Sequence, residues 1–266
     1  MNVYLSCDME GTCGVTEWNE VIKQHEDYKY YQKQMTREVT AACEGATLGG
    51  AEEIFIKDAH ATARNIIPNE LPLNTRLMRG WGNNPLFMMS GLDKEKHEAV
   101  LFTGYHANRM SNGNPLAHTI NSQKISSIVI NGIFASEFLI NSYTAGYYGI
   151  PVCFISGDKS VCEEAKKLIP EITTVPVFEG VGDATISIHP NKALALIKEG
   201  AKKAVENSEK CKVPMPKSFE VFITFDYQQA HKIQFYPGAW LENEKIVGFK
   251  SADYYDVLCF ILFATT

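Results

Sequence analysis

The sequence predicts a doubly wound α/β fold, a mostly parallel sheet with helices on both faces, with a second, smaller α+β domain. Three observations carry this reading. Short apolar strand patterns alternate with helical patterns through the first 168 residues. Polar residues able to hold a metal close several of those strands, at the edge where open α/β sheets bind ligands. A chain of 266 residues with 45% apolar and 21% charged positions has enough apolar surface to bury a core.

The elements follow in order. Residues 2–6 form a short apolar strand that runs into Asp8. Residues 28–45 carry apolar positions at helical spacing, and Gly49-Gly50 stops that helix. A second strand over 53–57 ends at Asp58-Ala-His60, and a third over 99–103 ends at Gly104-Tyr-His106. A fourth strand at 125–131 precedes a helix over 136–147. A fifth at 152–155 ends at Ser156-Gly-Asp158, with a helix following to Leu168. All five strands are expected in one sheet. Residues 1–168 are therefore read as the metal-binding catalytic domain. Residues 169–266 are read as the smaller domain, expected to supply pocket walls and subunit contacts. It holds a helix over 191–205, a polar linker over 208–217, a strand at Phe219–Phe225, a turn at Tyr236-Pro-Gly-Ala and a final helix over 253–264.

Charge and composition exclude several classes. The net charge of −6 argues against a nucleic-acid partner, which needs a concentrated basic face. It also argues against an anionic membrane surface. Residues 1–10 show no basic leader pattern and already carry Asp8 and Glu10. The longest apolar run, 257–264, falls short of the roughly 18–20 residues that cross a bilayer. The seven scattered cysteines form no C-x-x-C pair and read as reduced thiols filling core space. The expected location is the cytoplasm.

Asp8-Met9-Glu10 is the sharpest local feature. In extended chain, residues i and i+2 face the same way, so both carboxylates enter one site, and a bound cation relieves their repulsion. Gly11 then lets the backbone turn. A solvated acidic loop is the competing reading. His60 and His106 each end a strand, and mixed imidazole and carboxylate shells suit catalytic zinc. Asp58, two residues before His60, is expected to orient that imidazole. Glu137 enters a helix N-terminus, as a further ligand or as a charge favoured by the helix dipole. His118 lies in a Gly/Pro-containing loop, as a catalytic acid, an oxyanion donor or a surface histidine. His25, His97, His189 and His231 lack such context, and Cys7 and Cys13 rank as non-ligands. G-x-S-x-G, H-E-x-x-H and P-loop patterns are absent.

These residues resemble the M55 D-aminopeptidases. The likeness runs through Ser6-Cys7-Asp8-Met9-Glu10-Gly11, Asp58-Ala-His60, Gly104-Tyr-His106-Ala, Asn131-Gly to Glu137, Ala145-Gly-Tyr-Tyr, Pro151-Val and Gly157-Asp158, in order along most of the chain. The resemblance implies a binuclear zinc site on Asp8, Glu10, His60, His106 and Glu137, with Asp8 bridging, and a histidine important for activity at His118. It implies short peptide substrates with an N-terminal D-amino acid, and ring-like homo-oligomers. Ser136 stands before Glu137 where the family usually has glycine, and Leu-Ala-His118-Thr replaces Met-Ser-His-Ser.

The expected chemistry is peptide hydrolysis. Two Zn²⁺ ions about 3.5–4 Å apart lower the pKa of a bridging water to give hydroxide. His118 stabilises the oxyanion or protonates the leaving amine. Mn²⁺ or Co²⁺ fits the same shell. Two alternatives stay open. One is a metal-dependent amidase or phosphoesterase, the latter favoured by cations such as Arg64 or Arg109 at the pocket. The other is a non-catalytic peptide-binding module.

Overall fold

The computed structural model of the chain describes residues 1–227 and 229–265. In chain order it holds β1 (Asn2–Cys7), α1 (Tyr28–Leu48), β2 (Glu53–Asp58), β3 (Thr75–Met78), β4 (Ala99–Tyr105), β5 (Ile125–Ile130) and β6 (Ile133–Phe134). Then come α2 (Glu137–Tyr147), β7 (Val152–Asp158), α3 (Lys159–Leu168), β8 (Thr173–Val181), β9 (Ala184–Ser187) and α4 (Pro190–Glu206). The chain ends with β10 (Phe219–Phe225), α5 (Ala230–Ile233), β11 (Ala239–Asn243), β12 (Ile246–Ser251) and α6 (Tyr254–Thr265).

The expected mixed α/β fold is present. A seven-stranded sheet runs β3-β2-β1-β4-β7-β8-β9, parallel except for β9. Strands β4 and β7 are buried at every residue, as strands covered by helices on both faces must be. The register sets the site. Cys7 pairs with Asp58 on one side and Thr103 on the other. The residues just beyond those three positions, Asp8, His60 and His106, therefore emerge at one edge.

The fourth expected strand departs from expectation. Strand β5 joins a second, antiparallel sheet of order β11-β12-β10-β5-β6. Its burial mixes covered and half-covered positions, whereas β4 and β7 are covered throughout. A strand with one wet face pairs readily in an antiparallel sheet. The sheets thus divide the chain differently from a cut at 168/169. Strands β8 and β9 extend the first sheet, α4 packs on it, and β10 to β12 with α6 pair with elements from the first 168 residues. Pro176 inside β8 obscures that strand in the sequence, since proline removes a ladder donor.

Helix α2 joins the layers. It is buried over its first nine residues, from Glu137 to Ala145. It packs on β4 and β7 of the first sheet and on α6, whose Tyr254 hydroxyl donates to Ile140 O at 2.8 Å. Its N-terminus carries Ser136 as the cap, with Oγ accepting from Leu139 N at 3.1 Å, so Glu137 is the first helical residue and points into the site.

Candidate metal centre

Two glycines bring the first acidic pair against the strand that ends at His106. The Asp8 N–H donates to Thr103 O at 2.9 Å and the Gly11 N–H to Gly104 O at 2.8 Å. A Cβ on Gly11 would strike Tyr105 O, and one on Gly104, at φ +69°, would strike Asp8 O. Only glycine allows this approach.

Three carboxylates and three imidazoles converge there, all buried. The two oxygens of Asp8 face different histidines, Oδ1 lying 3.5 Å from His60 Nδ1 and Oδ2 3.5 Å from His106 Nε2. Glu10 Oε2 lies 2.9 Å from His60 Nδ1, and Glu137 Oε2 lies 3.5 Å from His106 Nε2. His118 Nε2 sits 3.8 Å from Glu137 Oε1 and 4.0 Å from Glu10 Oε1.

Each ring has its other nitrogen on a main-chain carbonyl. His60 Nε2 meets Val21 O at 2.8 Å, His106 Nδ1 meets Ala107 O at 2.9 Å, and His118 Nδ1 meets Leu116 O at 2.9 Å. A carbonyl only accepts, so those nitrogens carry the hydrogen. The nitrogens aimed at the carboxylates are then bare in the neutral rings, lone pair against lone pair.

The arrangement needs a cation, and the donor set fits one. Asp8 Oδ2 and His106 Nε2 are buried without a hydrogen-bond partner. Ligands about 2.1 Å from a tetrahedral zinc stand about 3.4 Å apart, close to the 3.5 Å spacings found here. Ligand atoms of Asp8, Glu10 and His106 lie within 4.8 Å of one another, as do those of His106, His118 and Glu137. Those two groups share His106 and leave out His60. His60 Nδ1 nevertheless contacts Glu10 Oε2 and Asp8 Oδ1 directly, so its ring faces the same carboxylates.

Protonation follows the same crowding. Burial disfavours the His60 imidazolium, yet Glu10 and Asp8 hold it well above the usual histidine value. His106 is likewise pushed down by burial and up, more strongly in sum, by Glu137 and Asp8. Glu137 is drawn down to about 2, burial being outweighed by His106. His118 is lowered, by burial and by the charge on His106.

The sequence misplaced one partner. Asp58 does not touch the His60 ring. Its carboxylate accepts from Asn65 N, Asn65 Nδ2 and Ile66 N, and Asn65 Nδ2 also donates to His60 O at 2.8 Å. Asp58 fixes the loop, and Val21 O orients the ring. A carbonyl has no sequence signature, so this partner was not legible. Asp158 caps α3 and accepts from Ala107 N at 2.7 Å, behind His106. Ile120, at φ +64°, is held in a conformation costly for a β-branched residue, and its N–H donates to Glu137 Oε1 at 2.7 Å. Cys13 Sγ lies 3.2 Å from Ile188 O, away from the shell.

A cavity of about 840 Å³ opens over the cluster. Its charged lining residues, among those described, are Asp8, Glu10 and Glu137, with the imidazoles of His60 and His118; no Arg or Lys lines it. Arg109 instead donates to Ser122 O and Ile125 O and pairs with Asp226. Trp18 and Trp81, which the sequence did not single out, form part of the wall. From residues 169–266 only Leu262 and Thr265 reach it among the described residues.

The model of the M55 peptidase family, described as D-aminopeptidase, matches residues 1–263. The chain belongs to this family. A D-aminopeptidase of Bacillus subtilis (strain 168) is 30% identical over 246 residues, covering 91% of this chain and 88% of that protein. A solved structure, the "Zn-dependent D-aminopeptidase DppA from Bacillus subtilis, a self-compartmentalizing protease", superposes with a TM-score of 0.91 at 28% identity. It covers all of this chain, which in turn covers 97% of it. The M55 member described here is thus a peptidase, a hydrolase of peptide bonds. Among its described residues no helix is long and apolar enough to cross a membrane.

Proposed function

We propose that this M55 peptidase is a zinc-dependent aminopeptidase that removes an N-terminal D-residue from short peptides, using two metal ions per subunit. One observation carries the proposal: the two oxygens of Asp8 face His60 and His106 separately, as a bridging carboxylate must. Asp8, Glu10 and His60 would hold one ion, and Asp8, His106 and Glu137 the other. A zinc pair, when bound, polarises the scissile carbonyl and brings the acidity of water close to neutral pH.

The chain's own groups do the rest. The carbonyls of Val21 and Ala107 fix which nitrogen of His60 and His106 faces the carboxylates, and a metal displacing the proton those carboxylates favour would find that nitrogen already aimed. His118 has its Nδ1–H committed to Leu116 O. Its lowered pKa keeps Nε2 bare at neutral pH. That nitrogen accepts the proton shed by the attacking water and returns it to the leaving amine. Carboxylates are the charged side chains around the reaction centre among the described residues, so it suits a free peptide amine and offers no Arg or Lys to a phosphate. This weighs against the phosphoesterase alternative.

Two further points rest on the DppA likeness. We propose that copies assemble into a homo-oligomer, as the self-compartmentalizing relative does, and sedimentation of the purified protein tests this. A cytoplasmic location is supported by seven unpaired thiols.

The test of the activity is hydrolysis of matched D- and L-alanyl dipeptides by chelator-stripped protein, before and after adding Zn²⁺. Zinc-restored cleavage of the D form alone is expected. Cleavage of only the L form removes the stereochemistry. Binding of two zinc ions without turnover of either dipeptide overturns the aminopeptidase proposal and favours the amidase or phosphoesterase alternative.

A further inference from the structure

We infer that Trp81 determines which peptides enter, selecting a bulky apolar side chain beside the scissile bond, with the buried Lys57 as the residue that positions its indole. This deepens the aminopeptidase reading above and rests on it.

The cavity, about 840 Å³, is far larger than alanine needs, and its wall away from the carboxylates combines large apolar side chains with amides and serines. Trp18, Ile22, Trp81, Phe87, Met88 and Ile120 contribute to it. Trp18 packs beside His118, with 5.4 Å between ring centroids. Trp81 lies in the segment after β3 and is tied to the loop carrying His60, its Nε1–H donating to Ala61 O at 2.7 Å. The indole is 40% exposed, so its face is open to a ligand. An exposed tryptophan held at one edge and open on its face is a good contact for an apolar side chain.

Lys57 explains why the indole stays in place. Lysine is rarely buried without a partner, yet Lys57 is fully buried at the end of β2. Its Nζ donates to Asp58 O at 2.6 Å and to Gly80 O at 2.9 Å, and lies 4.5 Å from the centroid of the Trp81 ring. Burial lowers its pKa to about 8 and Asp58 opposes this, so the ammonium is mostly charged at neutral pH. A cation over an indole face is attracted by the ring's negative π cloud, which holds the ring against it. The same ammonium ties the strand leading to His60 to the residue before Trp81. Gly80 N, in turn, donates to Ala63 O at 2.7 Å, and Ala61 and Ala63 both sit at positive φ. The loop is pinned from three points around one indole, and the metal chemistry uses none of them.

The test compares the zinc-loaded wild type with Trp81→Ala, Trp81→Phe and Lys57→Met. The substrates are D-Ala-D-Ala and its counterparts with D-Phe at the first or second position. The ratio of kcat/KM for the better phenylalanyl peptide over the alanyl peptide is expected to fall about tenfold in Trp81→Ala. Trp81→Phe keeps a ring and should hold most of that ratio. Lys57→Met should shift it in the same direction as Trp81→Ala through KM, with zinc content intact. A ratio within about twofold of wild type in Trp81→Ala overturns the proposal. So does an equal loss on all peptides in Lys57→Met, which marks a merely structural lysine. If the zinc-loaded wild type cleaves none of them, the proposed D-aminopeptidase activity on short peptides fails. Calorimetric titration of that protein and of Trp81→Ala with the same dipeptides then reads the preference directly, and equal affinities for phenylalanyl and alanyl peptides in the wild type refute it.

Discussion

The imidazoles of His106 and His118 lie stacked, 4.4 Å between centroids and 14° between planes. One has its free nitrogen on Asp8 and Glu137, while the other reaches Glu10 and Glu137 from a slightly greater distance. In the proposed function the first binds metal and the second moves a proton. His118→Ala should therefore lower kcat by about 10²–10⁴-fold, the usual worth of general acid–base catalysis. Zinc per chain, measured by atomic absorption, should stay at the wild-type value. Loss of metal in that variant, with the remaining loaded fraction fully active, would move His118 into the metal shell.

In the proposed two-metal site Asp8 is the bridge, one oxygen facing His60 and the other His106. Asp8→Ala, which removes a ligand from both sides, should reduce zinc from two per chain to none after dialysis, and abolish turnover. Glu10→Ala, which removes a ligand from one side only, should retain one ion. Equal metal content in the two variants would contradict a bridging role.

Gly104 is the backbone hinge of the site. Gly104→Ala places a methyl group against Asp8 O at a positive φ, displacing the Asp8–Glu10 turn. The strain should lower stability by about 1–3 kcal/mol and weaken zinc binding at the same time. Urea melts with and without zinc separate the two effects. Unchanged zinc affinity in a destabilised variant would show that the turn tolerates the shift.

Glu38 gives the fold a pH dependence away from the site. It is buried in α1, with Oε1 accepting from Cys13 N and Gln34 Nε2, both at 3.0 Å, and Oε2 without a partner. Burial lifts its pKa from 4.5 to about 7. Between those values the native state keeps a proton that the unfolded chain has released. Stability contributed here is complete below about 4.5 and is lost as pH rises through about 7, by about 3 kcal/mol at most. Glu38→Gln should remove this dependence, so its stability relative to wild type rises from pH 5 to pH 8. A constant difference in urea melts across that range would refute the assignment.

The sequence by itself determined the parallel core and the ligand types. Apolar runs at 2–6 and 99–103, alternating with helical patterns, read as strands of a parallel sheet covered on both faces, and the i, i+2 spacing of Asp8 and Glu10 put both acids on one side. Local chemistry also marked Ser136 before Glu137 as a helix start. Tertiary structure decided the rest. Which sheet β5 joined depended on its pairing with β10, some ninety residues away, and no local pattern encodes a partner at that distance. The partner of His60 was the carbonyl of Val21, which every residue possesses and only the folded chain can aim. Trp18 and Trp81 met in one cavity for the same reason. Periodicity is a property of neighbours along the chain, whereas convergence of distant groups on one point exists only once the core has packed.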